Sequence, residues 1–446
     1  MGKTVDVDDL IDNQKFGAFG FRVMALALIA LIADGYDVQV MAFAAPSVSA
    51  AWHIKPGELG PVLSAGLFGI LFGAPGFGWV GDRIGRKRTI IISSILYGVF
   101  CLSCLWAKDL TTLTILRFLT GLGLGGVLPN AISVAAELTP RRGRAGLTAL
   151  TGVGITIGGA VPGFVVAMAP PGEAFRTLFL VGGIVPFAIA ALIAVGLPES
   201  VIFLVKRGGS PQRIARLVRA INPKADLPPD AEFVARPDAS GPRPGYAELF
   251  KGGLALVTPL MWVMFAASLL SLFLLTSWLP SLLRQNGFTA RDAALTNSYF
   301  QLGGVVGAVI VALLIGRLRT LVVVGLFILA LAAVGVAARG TLDQDGLMLA
   351  IAACGFCLTG LQCSLNGTAG LAYPTQVRAR GVGVALGVGR IGSVVGPMVA
   401  GSMVAAGLTS ARDLFLLPIL PLALGLIAAV VVTMRVKPGA PAGPQP

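Results

Sequence analysis

The chain has 446 residues, of which 55% are hydrophobic and only 12% charged, and its 34 basic against 21 acidic side chains give a formal charge of +13. Soluble domains carry about 25% charged residues, so a surface this poor in ions must largely face lipid, which argues against a water-soluble enzyme. The basic residues sit in short clusters between long apolar runs, a topology signal rather than the polar basic face that nucleic acid requires, and no nucleic-acid partner is expected. Cys101, Cys104, Cys354, Cys357 and Cys363 all fall inside apolar runs and read as small buried hydrophobes. Cys101-x-x-Cys104 has a redox spacing but no soluble βαβ context. The lone His53 leaves no metal set, and no cofactor is expected.

About 20 apolar residues, at about 1.5 Å of helical rise each, cross a hydrocarbon core of about 30 Å. In chain order such runs fall near 20–46, 58–80, 89–107, 110–137, 145–168, 175–196, 254–283, 292–315, 320–338, 346–372, 381–405 and 413–434. The expected fold is therefore an all-α integral membrane protein with twelve transmembrane helices. The first run follows an acidic segment (Asp6, Asp8, Asp9, Asp12) and is longer than a signal-peptide core, so it is expected to be retained. With both termini cytoplasmic, most basic residues lie on the inner side, against Lys55, Lys108, Arg176, Arg284, Arg291, Arg339 and Arg412 on the outer side. The positive-inside rule favours that orientation. A polar stretch at 197–252 separates a six-helix bundle at 1–196 from a second at 253–446. Within it, Ser210-Pro211 starts a helix whose Ile214, Leu217, Val218 and Ile221 recur at helical spacing among Arg213, Arg216 and Arg219. This amphipathic basic helix either lies on the inner membrane surface or touches the bundle as a linker helix.

The two halves echo each other. Gly81-Asp82-Arg83-Ile84-Gly85-Arg86-Lys87-Arg88 closes the second span and Gly316-Arg317-Leu318-Arg319 the eighth. Pro140 to Arg144 precedes a glycine-rich span containing Pro162-Gly163, and Pro374 to Arg380 precedes one containing Gly396-Pro397. Paired halves with matching landmarks mark a transporter that rocks about a central site.

At these residues the chain resembles the major facilitator superfamily, whose loop signature between the second and third helices is very like Gly81 to Arg88. Several further motifs are similar to its aromatic acid:proton symporter branch. These are Asp34-Gly35-Tyr36-Asp37, Arg117 with Thr120-Gly121-Leu122-Gly123-Leu124-Gly125-Gly126 and Pro129-Asn130, and Leu197-Pro198-Glu199-Ser200. Tyr373-Pro374-Thr375-x-x-Arg378-x-x-Gly381-x-Gly383 and Gly389-Arg390-Ile391-Gly392-Ser393 extend the likeness to the second half. The resemblance implies two six-helix pseudo-repeat bundles that take up benzoate-type or hydroxybenzoate-type anions with protons. One departure stands out: the second loop keeps Gly316-Arg317 without the acidic residue the superfamily often repeats there.

Asp34 and Asp37 lie three apart on one helical face. A carboxylate at bilayer depth costs roughly 2.5–3.5 kcal/mol, so two in one span point to function, and two so close resist ionising together. They are the candidates for the coupled proton; the alternative is a structural pair neutralised by a cation. Arg117, at a comparable depth, either holds one aspartate ionised and meets an anionic substrate, or forms a permanent salt bridge. Arg390, among Gly387, Gly389 and Gly392, suits a bidentate grip on a carboxylate, with a helix–helix pairing as the alternative. Tyr36, Phe43, Trp278, Tyr299 and Phe300 are candidates to stack on a ring, and Gln39, Asn130, Gln301, Gln362 and Asn366 to read hydroxyl groups. Tyr36 stands between the two aspartates and Gln301 precedes Gly303-Gly304. Asp82, Arg83 and Arg86 are the candidate inner gate, joined by Glu137, for which Arg141 and Arg144 are the expected surface partners.

The leading reading is a monomeric proton symporter in a bacterial inner membrane, importing an aromatic carboxylate by alternating access. Gly152, Gly154, Gly158, Gly159 and Pro162-Gly163 make the fifth span thin and bendable, which keeps open a proton-driven exporter of drugs or metabolites; a symporter for a non-aromatic acid is the other alternative. No catalytic cluster accompanies the single histidine, so enzymatic activity is not expected.

Overall fold

A computed structural model of the chain describes residues 4–12, 14, 17–140, 144–170, 172–222, 227–228, 231–235, 245–318, 320–374, 376–407 and 410–435. In chain order the elements are β1 (Thr4–Asp6), α1 (Val7–Asp12), α2 (Ala18–Trp52), α3 (Gly60–Ile84), α4 (Arg86–Ser103), α5 (Leu110–Leu124), α6 (Val127–Leu138), α7 (Arg144–Met168) and α8 (Ala174–Gly196). Then come α9 (Val201–Lys206), α10 (Pro211–Ile221), β2 (Glu232–Val234), α11 (Leu254–Gln285), α12 (Ala290–Leu318), α13 (Leu321–Ala337), α14 (Gln344–Ala372), α15 (Arg378–Ala405), α16 (Ala411–Leu416) and α17 (Ile419–Arg435).

Among the described residues, 10 helices are long and apolar enough to cross a membrane, and the shorter apolar helices Gly152–Met168 and Leu321–Ala337 complete the twelve-span pattern. Two of the apolar runs are not single helices. The fourth breaks between α5 and α6, where Gly125-Gly126 follows the other glycines of the run, and the twelfth breaks before Pro418, which has no N–H for a continuing helix. The first helix runs past its expected end to Trp52, carrying Pro46 inside it.

The chain forms two compact units. One holds Met1–Met41, Ala65–Val165 and Ala169–Pro242; the other holds Ala42–Ser64, Val166–Met168 and Arg243–Pro446. In the first, a small polar-side module precedes the helices: β1 pairs with β2 in parallel, with Val5 opposite Phe233. The apolar stripe of α10 (Ile214, Val218, Ile221) is buried in one cluster with Val7 and Ile11 of α1 and Leu204 of α9. This is the linker-helix alternative: protein, not lipid, covers that face.

In the second unit the end of α2 and the start of α3 pack on α15. Ser64 Oγ donates to the carbonyl of Val394 at 2.9 Å, and a Cβ on Gly401 would lie 2.9 Å from the Cα of Gly60. The indole of Trp278 on α11 donates to the carbonyl of Pro397 at 2.9 Å, fixing α11 against α15.

Candidate functional site

The site in the first unit begins with a close approach of α3 and α5. A Cβ on Gly121 would lie 2.0 Å from the carbonyl oxygen of Gly66, so only glycine lets the two helices meet there. That contact sets α5 so that Arg117, one turn before Gly121, points at α2. Arg117 is 2% exposed and Asp37 0%, and the two form an ion pair: Nη1 lies 3.3 Å from each carboxylate oxygen, while Nη2 donates to the main-chain carbonyl of Asp37 at 2.8 Å. The guanidinium also stands over the ring of Phe179, with Cζ 6.0 Å from its centroid. Asp34, one turn earlier on α2, is buried at 5% exposure. Of the four charges that the sequence singles out within spans, the structure thus pairs Asp37 with Arg117.

Two further groups complete this environment. Tyr36 turns toward α8 and its hydroxyl donates to the carbonyl of Leu178 at 3.0 Å, which buries the ring in helix packing. The Cys101 thiol donates to Asp37 Oδ1 at 3.1 Å. In the sequence Cys101 reads as a small apolar residue, because nothing local to α4 reveals what α2 presents to it.

At the other end of α3 lies a second charged cluster. Arg86 pairs with Asp82 and with Glu137, each at 3.2 Å, and Glu137 also accepts hydrogen bonds from Ser133 and Ser200. Among the described residues the cation that reaches Glu137 is Arg86, brought in by the turn at Gly85 with its positive φ of 103°; the side chains of the expected partners Arg141 and Arg144 lie outside the described residues. Arg83 is not in the ion-pair chain; it stacks over Trp79 at 3.7 Å and its carbonyl accepts from Arg207 at 2.5 Å. Glu199, quoted earlier only as part of a motif, accepts from the main-chain N–H of Lys87 and of Ser200 at 3.1 Å each, satisfying a donor at the start of α4.

The second unit is different in kind. Gln301 on α12 is buried at 5% exposure, and Arg390 on α15 is half-buried. Gly389 and Gly392 face α11, where a Cβ on Gly392 would lie 2.6 Å from the carbonyl of Ala266. Those glycines therefore serve the neighbouring helix; around Gly387 nothing lies within 4 Å of a would-be Cβ. On α14, Gln362 Oε1 accepts from Ser268 Oγ at 3.4 Å, and one turn on, Asn366 Oδ1 is buried with no hydrogen-bond partner. Asn297 Oδ1 and Ser271 Oγ are in the same condition. Buried polar atoms are rarely left so, and these three sit on α14, α12 and α11 in turn. No group of three or more metal-ligating side chains occurs among the described residues.

Long apolar helices, internally packed by glycine and carrying a buried ion pair in one unit, define a polytopic helical membrane protein. Residues 27–397 match the Major Facilitator Superfamily, and the chain belongs to that family. It is 35% identical over 433 residues to the 4-hydroxybenzoate transporter PcaK of Pseudomonas putida, covering 97% of this chain and 96% of that one. The gallate transporter of the same organism is 32% identical, over 91% of this chain and 90% of its own. The aromatic acid branch indicated by the motifs is thus the branch in which these relatives fall. The solved structure of the Escherichia coli xylose transporter XylE in a partially occluded inward open conformation shares the fold, with a TM-score of 0.71 at 15% identity over 95% of this chain and 100% of that one.

Proposed function

We propose that the protein imports an aromatic carboxylate of the benzoate or hydroxybenzoate type together with protons, by alternating access. The observation that carries the coupling mechanism is the Asp37–Arg117 pair. Arginine does not give up its proton, and Arg117 Nη1 engages both side-chain oxygens of Asp37 out of water. The coupled proton then belongs to Asp34, buried one turn away on the same helix. The substrate class rests on the near full-length likeness to 4-hydroxybenzoate and gallate transporters. Arg390 meets the substrate carboxylate, and Gln301 and Asn366 read polar ring substituents; in the first unit Tyr36 ties α2 to α8 through Leu178 and Arg117 holds Asp37.

Asp82, Arg86 and Glu137 form a gate that Arg83 supports through Trp79. The chain works as a monomer in a bacterial inner membrane, with both termini cytoplasmic as the distribution of its basic residues favours. Its organisation is a bundle at 1–196, a linker at 197–252 and a bundle at 253–446. The glycines that kept an exporter open have a packing role: a Cβ on Gly158 would lie 1.9 Å from the carbonyl of Ile32.

The test is uptake into proteoliposomes with an imposed inward proton gradient, across benzoate derivatives and small aliphatic acids. Accumulation of hydroxybenzoates, lost in Arg390→Ala, is the expected result. Efflux against the gradient, or accumulation of aliphatic acids alone, contradicts the proposal.

A further inference from the structure

The Asp37–Arg117 pair is incomplete by itself. Arg117 offers the carboxylate only Nη1, straddling both oxygens at 3.3 Å, while its other terminal nitrogen goes to the main chain of Asp37. A two-nitrogen fork would satisfy a buried carboxylate better, and a charge out of water needs its remaining lone pairs met. The missing donor is Cys101. Its sulfur lies 3.1 Å from Asp37 Oδ1 and 3.8 Å from the carbonyl of Phe179, and a thiol has one proton to give, which goes to the nearer, charged oxygen. Both residues are 0% exposed, so water does not substitute.

The neighbouring helix is shaped around this contact. A Cβ on Gly182 of α8 would lie 3.1 Å from the Cys101 sulfur, 3.1 Å from the Tyr36 ring and 3.4 Å from Asp37 Oδ1. The titratable or charged groups facing Asp37 among the described residues are Arg117 from α5, Cys101 and Tyr97 from α4, Cys104 just after α4, and Tyr36 from α2, with Asp34 one turn earlier on α2 beside Tyr97. The part of α8 that faces it supplies Gly182 and the carbonyls of Leu178 and Phe179, with no titratable side chain.

We infer that Cys101 is a positioning residue of the transport cycle: its thiol, in the space left by Gly182, fixes the Asp37 carboxylate against Arg117. This rests on the reading that Asp37 stays ionised while Asp34 carries the proton. It gives the cysteine a role that volume alone does not: serine keeps a donor in a similar space, and alanine removes it.

The experiment compares the parent, Cys101→Ala, Cys101→Ser and Gly182→Ala for 4-hydroxybenzoate uptake in proteoliposomes from acid to neutral pH, at matched protein and thermal midpoint. Without the thiol, the buried Asp37 carboxyl group is left with the single Arg117 nitrogen that straddles it. Cys101→Ala should therefore lose about tenfold in kcat/KM for uptake. Cys101→Ser should keep the parent profile, and Gly182→Ala should move in the direction of Cys101→Ala. Superimposable profiles for alanine, serine and parent overturn the inference, as does a serine variant that behaves like alanine. Asp34→Asn, run alongside, separates the two claims: if it still accumulates substrate the proton assignment fails, whereas the role of Cys101 is decided by the alanine–serine difference.

Discussion

In the first unit α3 meets α5 where a Cβ on Gly121 would lie 2.0 Å from the carbonyl of Gly66; in the second, α12 meets α14 where a Cβ on Gly355 would lie 1.8 Å from the carbonyl of Phe300. The packing device is the same, and what stands beside it is not. Next to the first is a sealed ion pair, Asp37 with Arg117, carrying a thiol as its third member. Beside the second are amides and hydroxyls, Gln362 with Ser268, and the unsatisfied oxygens of Asn297 and Asn366. Duplicated helices thus supply one scaffold twice with different side chains beside it; the proposal assigns the proton to the first unit and substrate recognition, by Arg390 with the neutral amides, to the second. The missing acid after Gly316-Arg317 follows the same asymmetry, since Asp82 and Glu137 have their ion pairs with Arg86 in the first unit.

The largest effect that breaks this comparison is Arg117→Leu. It leaves Asp37 as an uncompensated buried charge, worth about 3–5 kcal/mol, and should lower the thermal midpoint in detergent sharply. Arg117→Leu with Asp37→Leu should recover most of that stability and no transport, whereas recovered transport would remove the pair from the mechanism. Next come Gly121→Ala and Gly355→Ala. Each places a methyl group inside a backbone contact, so each should cost about 1–3 kcal/mol by thermal unfolding, and similar losses in the two units would sharpen the claim of a shared scaffold. Smallest for stability is Asn366→Leu. Because its buried oxygen has no partner, replacing it should leave the midpoint unchanged or slightly raised, while lowering the preference for hydroxylated over plain benzoate by about tenfold in kcat/KM. Unchanged selectivity would take Asn366 out of recognition.

The spans were legible because a membrane helix is written locally, as an unbroken apolar run, and the family motifs are local strings too. Even the close packing of the glycine-rich fifth span was legible, and Gly158 takes it up against Ile32. What stayed hidden depends on partners distant in sequence. Nothing close to Glu137 in the sequence announces Arg86, which the turn at Gly85 brings to it. The short segment from Thr4 to Asp12 holds too few apolar positions to declare itself, and its strand and helix exist because Glu232–Val234 and α10 cover them. Cys101 looks apolar in its own helix and becomes a donor only when α2 brings Asp37 to it.

The central claim is that Asp34 carries the coupled proton while Asp37 stays paired with Arg117. Its most direct test is Asp34→Asn in proteoliposomes, measured in two modes with the same labelled hydroxybenzoate. The account predicts that exchange across the membrane at equal pH persists, while accumulation driven by an inward proton gradient is lost. Gradient-driven accumulation at the parent's level in Asp34→Asn would contradict it.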